Sequence, residues 1–133
     1  MAASQAAVQV FLKTLRGMDV NKFRMSNQSK TIKFLSSIDW GKAEVLETLM
    51  RLTPDDYHRG PLTNDWGGNS SVWIFGSEIT VNLTDKYRIY IKLSLTKSKQ
   101  ENWFANMSFH PTEESMVFPL AKPYKQWEVV KHA

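Results

Sequence analysis

Tyr87-Arg88-Ile89-Tyr90-Ile91-Lys92-Leu93-Ser94-Leu95 alternates without a break. Its odd positions are Tyr, Ile, Ile, Leu and Leu, and its even positions are Arg88, Tyr90, Lys92 and Ser94. That period of two belongs to a half-buried strand, with one face packed and the other offering cations, a phenol and a hydroxyl. Trp103 to His110 repeats the pattern: Trp103, Ala105, Met107 and Phe109 read as buried, and Asn106, Ser108 and His110 as facing out. Joined through Thr96 to Asn102, the two runs predict a hairpin on which Tyr90, Lys92, Ser108 and His110 share one polar face.

Working outward, Ser71 to Phe75 and Glu78 to Leu83 have strand character, with Gly76-Ser77 and Thr84-Asp85-Lys86 as the intervening turns. Short turns between neighbours predict an antiparallel meander, and Met116 to Leu120 is a candidate edge strand because Pro119 keeps it off the centre. Gly60 to Asn69 is dense in turn formers and reads as a long loop. Upstream the period changes to that of a helix. Val8, Phe11, Leu12 and Leu15 form one stripe, Ser29 to Leu35 a second short helix, and Trp40 to Leu52 a third that Asp39 would cap. Thr53-Pro54-Asp55-Asp56 opens one more helical turn, expected to hold Tyr57 and His58. The expected fold is α+β, with short N-terminal helices on a small antiparallel sheet. One domain spans 1–133: 1–58 mainly helical, 71–120 the sheet, and 121–133 a tail that either docks or frays.

Composition narrows the chemistry. The 133 residues contain no cysteine, which excludes thiolate metal sites, thiol nucleophiles and redox switching. Every apolar run is broken by charge before it reaches membrane-spanning length, and Met1 to Leu12 lacks a basic leader, so a cytoplasmic protein without membrane contact is expected. There is no Gly-rich phosphate loop, and His58, His110 and His132 lack metal-ligand spacing, so no cofactor or metal is expected. Asp55 and Asp56 are neighbours that point apart on a helix.

The net charge of +4 is local rather than general. Lys86, Arg88, Lys92, Lys97 and Lys99 occupy a segment with no acid, whereas residues 101 to 133 carry 3 basic and 4 acidic side chains. A phosphate-binding surface requires such a concentration, and so does a lysine-guarded strand edge. Cleaving RNA without a metal needs a base for the 2′-OH, a cation for the charge on phosphorus and an acid for the 5′-oxygen. Histidine suits proton transfer near neutrality, Arg and Lys supply fixed charge, and tyrosine stacks or donates its hydroxyl. Each residue also has a plain structural role: Arg59 as a helix cap, Tyr90 as a cross-strand partner, and Trp66 and Trp73 as core or loop anchors.

The succession Leu52-Thr53-Pro54-Asp55-Asp56-Tyr57-His58-Arg59-Gly60-Pro61, Val72-Trp73-Ile74-Phe75-Gly76, Ile89-Tyr90-Ile91-Lys92-Leu93 and Met107-Ser108-Phe109-His110 resembles the MqsR family of bacterial toxins. The resemblance runs from about residue 8 to residue 120. It implies a RelE-like ribonuclease fold that cuts messenger RNA without a metal, and a cognate protein antitoxin that blocks it, with the ribosome as a further possible partner. It places family site residues on Arg59 and His110, where other members carry lysine, and on Tyr90, followed by the basic Lys92. A glutamine that some members carry after the strand tryptophan is Ile74 here.

The two readings converge. Arg59 and Lys92 are expected to hold the scissile phosphate, His110 to transfer a proton and Tyr90 to position or assist. Arg88, Ser108, Lys97 and Lys99 are expected to bind flanking single-stranded RNA. The rivals are a non-catalytic RNA-binding or regulatory module and a protein-interaction domain whose basic face meets an acidic partner.

Overall fold

The computed structural model describes residues 3–63, 70–97 and 103–129, so Trp66, Lys99 and His132 lie outside the described residues. Helix α1 (Gln5–Arg16) starts where Ser4 accepts the Ala7 N–H, and it buries the expected stripe of Val8, Phe11, Leu12 and Leu15. Helix α2 (Ser29–Ile38) buries Phe34, Leu35 and Ile38, together with Thr31, whose hydroxyl accepts the Phe109 N–H. Asp39 does not cap the third helix. It ends α2 in the left-handed conformation at φ 56°, which Asp tolerates better than most residues. Helix α3 (Lys42–Met50) begins instead at Gly41, whose N–H donates to the Glu44 carboxylate.

The sheet is mixed. Strands β1 (Phe23–Met25), β2 (Tyr57–Thr63), β3 (Ser70–Val81), β4 (Asp85–Lys97) and β5 (Trp103–Pro111) lie in the order β1-β5-β4-β3-β2. All neighbours are antiparallel except β1, which runs parallel to β5. The expected antiparallel meander matches β3 to β5 alone: the runs Ser71 to Phe75 and Glu78 to Leu83 are one strand, β2 lies where a helical turn and a loop are expected, and β1 adds a parallel edge. Tyr57 and His58 open β2 rather than lying in a helical turn; only Pro54–Asp56 is helical, as a single 3₁₀ turn. The first residues of the expected loop, Gly60 to Thr63, also belong to β2.

Gly76-Ser77 is not a turn, because β3 passes straight through both residues. A Cβ on Gly76 would lie 2.7 Å from Phe118 Cζ and 2.9 Å from Trp127 Cζ3. The glycine therefore marks a close approach of another element to the strand. That element is a second, two-stranded sheet of β6 (Met116–Phe118) and β7 (Lys125–Trp127). It does not extend the main sheet as an edge strand. It also shows that the tail docks as far as Trp127, which is buried.

Two cores result. The helices cover one face of the sheet, where Trp73, Phe75, Ile89, Ile91, Leu93, Met107 and Phe109 meet α1 to α3. Phe11 stacks on Trp73 with ring centroids 4.3 Å apart, and Trp40 lies against Phe109. On the opposite face Val72 and Ile74 pack against Met116, Phe118 and Trp127. No helix among the described residues is long and apolar enough to cross a membrane.

Candidate active site

The register brings the predicted polar face together. Tyr90 pairs with His110 and Lys92 with Ser108 across β4 and β5. The Tyr90 and His110 rings stack at 5.2 Å between centroids and 24° between planes. Tyr90, Lys92, Ser108 and His110 line one side of a cleft of ≈ 340 Å³ whose other wall is Gln28, Lys30, Glu113 and Glu114.

Arg59 reaches the same face through a fault in the alternation. Tyr57 pairs with Phe75, but Arg59 pairs with Ile74, so β2 carries an extra residue at His58. Without that bulge Tyr57 and Arg59 would share a face. With it, Tyr57 turns into the helical core, where its hydroxyl donates to the Gly60 carbonyl, and Arg59 turns to the opposite side. Gly60 holds the distortion at φ 127°, and a Cβ there would meet the Val72 carbonyl at 2.7 Å. His58 at the bulge donates its Nδ1–H to the Val117 carbonyl, tying β2 to β6.

The two rings play different hydrogen-bonding parts. Burial pushes the Tyr90 phenol above its ordinary 10.0, and the nearby Glu114 charge pushes it further. Arg59, through its charge and a hydrogen bond to the phenol, opposes that shift without cancelling it. Tyr90 is therefore a neutral hydrogen-bond donor at physiological pH. His110 places Nδ1 2.9 Å from the Pro111 carbonyl. A carbonyl only accepts, so Nδ1 is the donor, and in the neutral tautomer the lone pair lies on Nε2.

The remaining predicted residues divide. Arg88 lies on the site face, but its guanidinium faces Glu78 at 3.9 Å and covers the Trp127 ring at 5.6 Å. Ser108 is buried at 8% exposure, in the floor of the cleft. Lys97 occupies an odd position in β4, on the helix side of the sheet and away from Lys92. Lys99 lies outside the described residues. Ile74, at 1% exposure, is sealed under the second sheet and touches no solvent.

Sequence reading missed the second wall. Lys30 and Glu113 close it with an ion pair of 2.7 Å between α2 and the segment after β5. No periodicity marks these residues; the one signal was that Glu113 and Glu114 follow His110 by three and four positions. Another groove of ≈ 400 Å³, between α3 and β3, sets Glu44, Glu47 and Glu78 against the single Arg51, a net negative lining of the wrong sign for a phosphate. Comparison of this chain with protein-family models, with curated proteins and with solved structures finds no match.

Proposed function

We propose that this protein is an endoribonuclease that cleaves single-stranded RNA by attack of the 2′-OH on the adjacent phosphorus, leaving a 2′,3′-cyclic phosphate. The observation that carries the reading is the meeting of His110, a protonated Tyr90 and the cation Lys92 in the lining of one open cleft, with Arg59 hydrogen-bonded to the Tyr90 phenol. His110 Nε2 takes the 2′-OH proton as the new P–O bond forms. Arg59 and Lys92 hold the charge that builds on the phosphoryl oxygens. The Tyr90 hydroxyl donates to the departing 5′-oxygen as its bond to phosphorus breaks, and recovers its proton from solvent.

The resemblance to MqsR toxins supports the wider setting. In it the substrate is messenger RNA, the fold is of the RelE type, the protein acts in the cytoplasm, and a cognate antitoxin restrains it. A five-stranded sheet with its helices on one face and a cationic opposite face is compatible with that fold.

The test is incubation of the protein and of its His110→Ala variant with a defined single-stranded RNA in EDTA, followed by analysis of the product ends. Cleavage by the native protein alone, with cyclic phosphate ends, is expected. Salt-sensitive binding without cleavage would overturn the enzymatic reading in favour of an RNA-binding regulatory module.

A further inference from the structure

The sheet face that carries the cleft does not end at Lys92. Past the second sheet it continues over β4, β5 and β1 as Ser94, Asn106 and Arg24, a row fixed by the pairings of Ser94 with Asn106 and of Asn106 with Arg24. One step further along β5 is Phe104, an aromatic ring on the polar side of the strand, half-buried and outside both apolar cores. The Arg24 guanidinium lies 4.5 Å and the Lys22 ammonium 4.8 Å from the Phe104 centroid. Neither cation has a carboxylate partner among the described residues.

An aromatic ring flanked by cations on an open sheet is how proteins hold single-stranded nucleic acid: bases stack on the ring or on a guanidinium plane, and the charges take the phosphates. We propose that Phe104, Arg24 and Lys22 form a distal nucleotide subsite for the RNA strand that crosses the cleft. Six steps along β5 lead from Phe104 to His110, about 20 Å at the rise of a strand. The face between them is continuous and carries Ser94, Asn106 and Lys92, with no acid on it. Ile74, buried under Phe118, is closed to any base, so base contacts along this strand fall to the open side. This subsite rests on the ribonuclease reading, because it places the same RNA strand on a longer track.

Two oligonucleotides separate the two ideas: a trinucleotide that spans the cleft alone, and a 2′-O-methylated decanucleotide that reaches Phe104 and resists cleavage. Phe104→Leu should bind the trinucleotide like the native protein and the decanucleotide roughly 5- to 100-fold more weakly, the range for losing one stacked base. Phe104→Trp should restore the decanucleotide. Arg24→Gln should lower the salt dependence of decanucleotide binding by about one phosphate contact. Equal binding of the decanucleotide by the native protein and Phe104→Leu, with cleavage intact, overturns the subsite and leaves the enzyme standing. Failure of the native protein to bind or cut either RNA overturns both. Loss of trinucleotide binding in Phe104→Leu together with Phe104→Trp also overturns the subsite, since it makes Phe104 a structural support of the cleft.

Discussion

The face of the sheet turned away from the helices has two halves built on opposite principles. Over β3, Val72, Ile74 and Gly76 are roofed by Met116, Phe118 and Trp127, and the contact is so close that a single Cβ would not fit. Over β4, β5 and β1, Lys92, Ser94, Asn106 and Arg24 are left to solvent. Tyr90 stands on the boundary, packed against the small core and also lining the cleft. A wall of low polarity on one side and open water on the other is what the proposed chemistry needs: enough burial to keep the Tyr90 phenol protonated and aimed, enough access for a substrate. The proposed site therefore lies where the roof stops.

The largest effect expected from breaking this boundary comes at His110. His110→Ala should slow cleavage by about 10²–10⁴-fold, the range for removing a positioned general base. The melting temperature should stay near that of the native protein, because the ring is only half-buried and its hydrogen bond is to its own neighbour's carbonyl. Single-turnover cleavage and thermal unfolding check the two halves of this statement. A retained rate would remove His110 from the reaction.

The covered half should be the more brittle to packing. Gly76→Val forces Phe118 and Trp127 off the strand, an overpacking cost of about 1–3 kcal/mol. The released Trp127 should shift its fluorescence to the red. An enlargement on the open half, Asn106→Leu, extends from an exposed position and should change stability by less than about 0.5 kcal/mol. Denaturant unfolding of both variants measures the contrast directly, and equal losses would mean that the two halves are packed alike.

Gly76 also shows where sequence stopped being legible. A glycine between two apolar runs has the same local signature whether it makes a turn or admits a roof, and the deciding atoms, in Phe118 and Trp127, lie more than 40 residues away. Arg59 is the parallel case in the site. Strict alternation assigns it to the face of Tyr57, and only a bulge, stabilised by the left-handed Gly60, moves it beside Tyr90. By contrast, the common face of Tyr90, Lys92, Ser108 and His110 was readable, because unbroken alternation fixes the face, while the pairing of Tyr90 with His110 and of Lys92 with Ser108 is set by the register. β1 was not: three residues held by β5 and by the Ser26 N–H bonded to the Met107 carbonyl have no period of their own.

The boundary position of Tyr90 has a smaller, directional consequence. Glu114→Gln removes one cause that raises the phenol's pKa and should lower it, whereas Arg59→Gln removes the opposing charge and hydrogen bond and should raise it. Ultraviolet titration of the phenolate, with Tyr90→Phe subtracted, reads both shifts. The sign of the linked stability follows. Above pH 10.0 an unfolded tyrosine has begun to lose its proton while Tyr90 still holds one, so the native state loses stability relative to the unfolded chain as pH rises through that window. Below pH 10 this contribution is fully present. Shifts in the same direction for both variants would mean that Arg59 and Glu114 do not act on the phenol as opposing charges.

The smallest effect belongs to the far wall of the cleft. Lys30 and Glu113 are joined at 2.7 Å, yet their side chains are 59% and 62% exposed. Water competes for both charges at that exposure, and two long side chains must be held in one geometry, so the pair is worth at most about 1 kcal/mol and less in high salt. Lys30→Met should therefore leave unfolding nearly unchanged, although it removes a whole ion pair, while a few methyl carbons at Gly76 are felt throughout the small core. Its visible consequence should be in binding instead, because it removes a cation from the cleft wall beside the path of a polyanion and should weaken RNA binding most at low ionic strength. If Lys30→Met destabilises the fold as much as Gly76→Val, then the open half is held by its charges as firmly as the covered half is by its packing, and the division between them fails.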